Sequence, residues 1–265
     1  MSYTYDEIKR AYRNIGVAAG GVVYLVGELW RLREYAEPGA EAVCAAHYRA
    51  LRELVGEEGT IAVSTATPNL VNTDTVFDPE TTPSSGTGIF SEYVRLLPGA
   101  RRSLHPFVSY AAIGPAASAI TENCSPHAFG PESPEARLCD MNALFLAVGM
   151  APNFACSTAH HVEHVCGIPF RYIKEFVHPV LRDGRVVREQ FYLHVWYRDT
   201  GMVKDRYRKL FERLEGNLET RVATLGRGKV FGYDMAEFFR KACAIVAREP
   251  YISCEYLPET RPYRS

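Results

Sequence analysis

The chain reads as an α/β protein whose mixed sheet lies between helical layers, and three features of the sequence carry that reading. Helix-like segments alternate with short apolar, β-branched runs. Two of those runs are apolar throughout, which suits strands covered on both faces. A pair of alternating segments around Asp183-Gly184 reads as an antiparallel hairpin, which argues against an all-parallel sheet.

In order, a helix is expected from Tyr5 to Asn14, a strand from Gly20 to Val26, a helix from Ala40 to Val55 and a strand from Thr60 to Ser64. Pro68 to His105 is a long stretch rich in Thr, Ser, Pro and Gly, the kind of loop that holds function. The continuous apolar strands are Val108 to Ile113 and Ala143 to Gly149. The hairpin pairs Phe170 to Leu181 with Val186 to Arg198. Helical patterns close the chain at Met202 to Glu215 and Asp234 to Arg248, with Gly232-Tyr233-Asp234 read as a turn and N-cap for the second.

With 265 residues, 47% of them hydrophobic and 23% charged, the sequence fits one globular domain spanning 1–265. A net charge of -1 speaks against a nucleic-acid partner. The short basic groups Arg10 to Arg13, Arg101-Arg102 and Lys204 to Lys209 read as solvated faces. No stretch has the order of a signal peptide, and the longest apolar run, around Ala143 to Val148, is too short for a bilayer. A cytoplasmic protein with no membrane association is therefore expected. The seven cysteines are scattered and odd in number, so neither a zinc knuckle nor a disulfide framework is expected.

The densest polar cluster, Ser157-Thr158-Ala159-His160-His161-Val162-Glu163-His164, follows a buried strand at the edge where open α/β sheets bind ligands. If Ser157 or Thr158 caps a helix, Glu163 and His164 share a face with His160 and His161 turns about 100° away. A neutral imidazole so placed can accept a proton from an amine, and a nearby carboxylate stabilises the imidazolium. Three other readings stay open at this point. His160 and His164 have the i, i+4 spacing of a zinc helix, but His161 stands where that signature needs Glu. Cys156 or Cys166 could act as a thiol nucleophile. The histidines could also serve only as capping and hydrogen-bonding groups.

Two further segments hold polar groups. Arg101 to Ser109 leads from a Pro-Gly turn into a strand and could hold phosphate and amide groups, or simply form a turn in which His105 satisfies backbone ahead of Pro106. Phe77 to Gly88 is a small-residue loop entering a helix, without the lysine or spacing of a P-loop.

Taken together and in order, FDPETTPS, PGARRSLHPFVSYAAIGP, FGPESPEARL and LAVGMAPNFACSTAHHVEH resemble the aminoglycoside 3-N-acetyltransferase family, which also includes acetyltransferases of other amines. The likeness is clearest from about Gly59 to His164, and GRGKVFG near the C-terminal end is also similar. It implies a three-layer α/β/α sandwich with a mixed central sheet, acetyl-CoA as cosubstrate, no metal, and direct transfer to a small-molecule amine. The family's catalytic H-x-x-E falls on His160 and Glu163. Its coenzyme-binding segments fall on Ser103, His105 and Ser109, and on the Thr82 to Gly88 loop with Thr82 and Ser84. Asp78, Glu80 and His164 are the expected acceptor contacts.

Two departures are visible. Where the family has a His-Ser-Ser segment after its first strand, this chain has Gly27-Glu28-Leu29-Trp30; where members acting on aminoglycosides carry a polar His-Asp pair, it has Met150-Ala151-Pro152-Asn153. The second suggests a less acidic acceptor pocket, since polycations favour clefts lined by carboxylates, here Glu28, Asp78, Glu80 and Glu163 as candidates. The readings that follow are an aminoglycoside or amino-sugar acceptor; another biosynthetic amine, such as an amino-phosphonate, with Arg101, Arg102 or Arg171 lining a basic pocket; or a silent coenzyme A-fold binding protein. The aromatics Phe191, Tyr192, Trp196 and Tyr197 fit core packing or a homodimer contact equally well.

Overall fold

Period-two alternation along each central strand sends one set of side chains to each face of the sheet and so decides the layers. The computed structural model describes residues 2–197, 205 and 207–254. With strands and helices numbered in chain order, β1 (Val22–Gly27) pairs in parallel with β2 (Thr60–Ser64) and β5 (Leu144–Val148), Val23 standing level with Ile61 and Leu144. Antiparallel strands extend both flanks. Strand β4 (Tyr110–Ile113) lies on β2 with β3 (Arg101–Arg102) outside it; β9 (Gly228–Asp234) lies on β5 with β8 (Arg221–Leu225) outside it. The order is β3-β4-β2-β1-β5-β9-β8.

Val23, Leu25, Ile61, Val63, Leu146 and Val148 face α1 (Tyr5–Ile15), α2 (Ala40–Val55) and α3 (Ile89–Arg95). Tyr24, Ala62, Phe145 and Ala147 face the opposite layer. That layer holds α4 (Ala117–Thr121), α5 (Pro134–Asp140), α7 (Thr158–Val165), α8 (Arg208–Leu214) and α9 (Met235–Val246), with the single turn α6 (Pro152–Ala155) leading into α7. The result is the three-layer sandwich with a mixed sheet that the sequence predicts. Each buried Val, Leu, Ile or Phe contributes about 1.5–3 kcal/mol, so the doubly covered sheet is the main source of stability. Helix α1 begins at a capping box between Thr4 and Glu7 and ends at Gly16, whose φ of 103° closes its last turn.

Three sequence expectations need correction. The hairpin β6 (Arg171–Arg182) and β7 (Arg185–Trp196) forms a separate two-stranded sheet, so the central sheet owes its mixed character to β3, β4, β8 and β9. Asp183 and Gly184 both have positive φ, as a two-residue hairpin turn requires. Val180 and Phe191 then cover a small core with Leu70, Phe77 and Phe107. Secondly, Gly232-Tyr233-Asp234 is not a turn but completes β9, where Asp234 pairs with Leu144; Asp234 does stand at the N-cap position of α9, as expected, but its carboxylate accepts a 2.7 Å hydrogen bond from Arg221 rather than one from the helix. That pairing is tertiary and leaves no local mark. Thirdly, of the helix expected over Met202 to Glu215, only α8 is helical among the described residues, Asp205, Tyr207 and Glu215 being outside it; residues 198–204 and 206, with Arg198 of the hairpin and part of the Lys204 to Lys209 group, lie outside the described residues.

The hairpin aromatics pack within the chain. Phe191 is buried, Tyr192 stacks on His127, Trp196 lies against Phe170 and Tyr197 against Tyr172. All seven cysteines are free thiols. Among the described residues no helix is long and apolar enough to cross a membrane, and no group of three His, Cys, Asp or Glu could hold a metal.

Candidate active site

The carboxyl ends of β1 and β5 lie side by side because two glycines allow it. A Cβ on Gly27 would meet the Val148 carbonyl oxygen at 2.6 Å, and one on Gly149, whose φ is 73°, would meet the Glu28 carbonyl oxygen at 2.5 Å. From there the chain turns through α6 into α7. Ser157 is the residue before α7, but neither it nor Thr158 caps the helix with its side chain; both hydroxyls donate instead to Glu135 Oε1, at 3.2 and 2.7 Å. The Tyr110 hydroxyl donates to the other oxygen of Glu135, and the Tyr24 and Ser157 hydroxyls lie 2.9 Å apart. Burial raises the pKa of Glu135. This network ties the start of α7 to α5 and to two sheet strands.

One turn along α7, His160 and Glu163 come together around two residues from elsewhere. Glu163 is buried, with Oε2 3.7 Å from His160 Nδ1 and 2.7 Å from Arg171 Nε. Arg171, the first residue of β6, also donates to the His194 carbonyl oxygen at 2.8 Å, reaches His160 Nδ1 with Nη2 at 3.1 Å, and lies over the Trp196 ring. The Tyr207 hydroxyl donates to Glu163 Oε2 at 3.0 Å and stands 3.0 Å from His160 Nδ1. Burial and then the Glu163 charge push the Tyr207 phenol well above its usual pKa. Phe129 stacks on the His160 ring, leaving that side chain 29% exposed in a pocket also lined by Asn153, Phe154, Ser157 and Tyr207. The exposure opens part of the ring to the pocket. The buried carboxylate and guanidinium neutralise one another behind it.

The neighbouring histidines do different work. His161 accepts from Gly130 N–H at 3.1 Å and stacks on Phe239; burial lowers its pKa to about 4. His164 packs edge-on to His127 and His194 rather than beside His160, and burial lowers its pKa too. The thiol route has little chemical support here, since burial raises the pKa of Cys156 to about 12 and raises that of Cys166.

None of the residues expected at the coenzyme lines the pocket at His160. Ser103 is buried, its hydroxyl accepting from Tyr110 N–H at 3.0 Å; Ser109 donates to the Thr65 carbonyl oxygen at 2.8 Å. Both side chains therefore bind protein. Thr82 accepts from Asp78 N–H, Ser84 donates to Glu92, and Asp78 accepts from Glu80 N–H and Thr81, so these groups chiefly hold their own loop together. Glu80 is exposed, and neither it nor Asp78 lines the pocket at His160. Glu28, at the end of β1, pairs with Arg31.

His105 differs, because its Nδ1 accepts from the N–H groups of Phe107 and Val108 while Nε2, beside the Tyr192 backbone, is buried without a partner at hydrogen-bond geometry. It lines a cleft of about 940 Å³ with Arg102, Arg182, Arg188 and Tyr192. Thr87 also has a buried hydroxyl without a partner. It lies in the loop that crosses β1, where a Cβ on Gly88 would meet the Gly27 carbonyl oxygen at 2.8 Å.

A family model described as aminoglycoside 3-N-acetyltransferase matches residues 34–247. The chain belongs to that family. It is 34% identical over 178 residues to aminoglycoside N(3)-acetyltransferase VII of Streptomyces paromomycinus, a match covering 60% of this chain and 59% of that one. With aminoglycoside N(3)-acetyltransferase III of Salmonella sp it shares 31% identity over 202 residues, 69% of this chain and 68% of the other. The matched stretch thus spans less than two thirds of the first relative's length and slightly more of the second's.

Among solved structures, aminoglycoside acetyltransferase AAC(3)-Xa superposes with a TM-score of 0.80 at 22% identity, covering 92% of this chain and 93% of that one. The binary complex of AAC-IIIb with CoASH gives 0.79 at 20% identity, covering 94% and 98%. At these identities the likeness is one of fold. The family match spans the four motifs and the GRGKVFG segment, whereas α1 and β1 lie before it.

Proposed function

We propose that this chain transfers an acetyl group from acetyl-CoA to an amine of an aminoglycoside or amino sugar, directly and with His160 as general base. The observation that carries the proposal is a part-exposed imidazole whose Nδ1 side is held by Tyr207, Arg171 and the buried Glu163 at the mouth of a pocket. Such a ring can present Nε2 to the acceptor. His160 takes the proton that the amine loses as its nitrogen bonds to the acetyl carbon, and Glu163 stabilises the imidazolium that forms.

Acetyl-CoA would supply the activated acyl group, leaving as the free thiol. The residues of the larger cleft fit such a molecule: His105 Nε2 is a buried polar atom beside the Tyr192 backbone, short of good hydrogen-bond geometry, and Arg182 and Arg188, paired with Glu189 and Asp74, could meet phosphates. The Thr87 hydroxyl is a candidate replacement for the hydroxyls missing after β1. The proposal agrees with the chain's family and with a coenzyme-bound relative of the same fold.

A less cationic amine is the second reading. It is favoured by the pocket at His160, whose lining of Asn153, Phe154, Ala155, Cys156, Ser157 and Tyr207 contains no carboxylate among the described residues. Thiol release from acetyl-CoA across aminoglycosides, nucleotide-linked amino sugars and amino-phosphonates, with product mass measured, tests both. A mass gain of one acetyl on an aminoglycoside supports the first reading; acetylation confined to the other amines supports the second. Silence across the panel, combined with no calorimetric binding of acetyl-CoA, would remove the assignment in favour of a silent binding protein.

A further inference from the structure

We infer that Tyr207 is the positioning residue through which Glu163 acts on His160, setting which ring nitrogen carries the proton. The carboxylate stands 3.7 Å from Nδ1, too far for a hydrogen bond, whereas the Tyr207 hydroxyl reaches Nδ1 and Glu163 Oε2 at 3.0 Å each. The inference rests on reading His160 as the base.

A phenol has one proton to give. Burial and the adjacent carboxylate keep that proton on Tyr207, and the carboxylate is its charge-assisted acceptor. The phenol's lone pairs then face Nδ1 and accept its N–H. In that tautomer Nε2 carries the lone pair that a general base needs. When Nε2 takes the acceptor's proton, Nδ1–H remains hydrogen-bonded to Tyr207, and the chain of bonds ends on Glu163.

Arg171 supplies the opposing influence. Its Nη2, 3.1 Å from Nδ1, can only donate, and an Nδ1 that accepts from it leaves the proton on Nε2, where the ring is no base. Of the other guanidinium nitrogens, Nε lies 2.7 Å from Glu163 Oε2 as an ion pair and Nη1 donates to the His194 carbonyl oxygen. The ring therefore lies between a phenol that selects the basic tautomer and a guanidinium that selects the inert one. The Tyr207 backbone is consistent with a residue held in place by its surroundings: it is buried, at φ 61° and ψ 14°, a left-handed conformation that a bulky side chain rarely adopts.

Tyr207→Phe keeps the ring and removes the hydroxyl. In protein labelled with 15N-histidine, with the His160 signals assigned by their loss in His160→Gln, the neutral ring is expected to carry its proton on Nδ1 in the wild type and on Nε2 in Tyr207→Phe. In acetyl transfer, kcat should fall about 10- to 100-fold with KM for acetyl-CoA little changed, less than the roughly 10²–10⁴-fold cost of removing a general base outright. Adding Glu163→Gln to Tyr207→Phe should then cost far less than it does alone. A wild-type ring protonated on Nε2, an unchanged tautomer in Tyr207→Phe, or additive losses in the double variant would each overturn the inference. The NMR readout needs no acceptor, so a failure of the acetyltransferase reading is separable from a failure of the tautomer claim, and the wild-type spectrum alone tests the latter.

Discussion

Replacing Glu163 by Gln preserves its shape and removes the charge that answers Arg171. The side chains of the pair are 1% and 4% exposed, so water cannot replace what is lost. Breaking a buried pair by neutralising one member typically costs about 3–5 kcal/mol, because the remaining ion stays buried without its partner. Arg171 keeps its bond to the His194 carbonyl oxygen and its place over Trp196, which puts the expected loss at the low end, about 3 kcal/mol. At roughly 2–4 °C per kcal/mol for a chain of this size, Tm should fall by about 6–12 °C. Urea unfolding and thermal scans measure both. The double replacement Glu163→Leu with Arg171→Met should recover most of that stability while leaving the enzyme inactive, since apolar residues of similar volume commonly substitute for a buried pair. A loss below about 1 kcal/mol in Glu163→Gln would refute the reasoning, because it would mean that the pair is solvated or that its charge is not needed.

Two other expectations concern buried histidines and one tight glycine. Burial lowers the pKa of both His47 and His105 to about 3, so below about pH 6.5 the unfolded chain binds protons that the folded chain refuses, and stability is lost as pH falls through that window. The two together should cost about 4 kcal/mol between pH 7 and pH 5, read from urea midpoints; equal stability at both pH values would contradict it. Gly130 has φ 102°, and a Cβ there would come 2.5 Å from His164 Nε2, a ring packed between His127 and His194. Gly130→Ala should therefore destabilise by roughly 2 kcal/mol or more and disturb the end of α7, whereas a neutral melting temperature would show that the loop relaxes freely.

Much of the scaffold was legible in the residues. Ala40–Val55 and Thr60–Ser64 fall where the pattern puts them, and Leu144–Val148 is buried on both faces as its unbroken apolar run implies. The meeting of His160 with Glu163 follows from helical spacing alone. What escaped was set by tertiary contact. Tyr207 lies 44 residues from Glu163, in a conformation that no local signal announces. Arg171 reads as a cation lining a basic acceptor pocket, yet its side chain is buried and paired with Glu163. His164 shares its face with His160 by spacing, but the hairpin residue His194 and the loop residue His127 draw it into a separate cluster. Ser103, Ser109, Thr82 and Ser84 were expected at the coenzyme because of their place in the motifs, and their hydroxyls bond to protein. Glu135, inside FGPESPEARL, carried no mark of the network it anchors, since Tyr110 reaches it from β4 and Ser157 and Thr158 from the start of α7.

The most direct test of the central claim is the initial rate of acetyl-CoA-dependent acetylation by the wild type and by His160→Ala, each shown to be folded by its circular dichroism and urea midpoint. With a general base removed, kcat/KM should fall by about 10² or more while acetyl-CoA still binds. A His160→Ala enzyme that works within a few-fold of the wild type would contradict the assignment of His160 as the base.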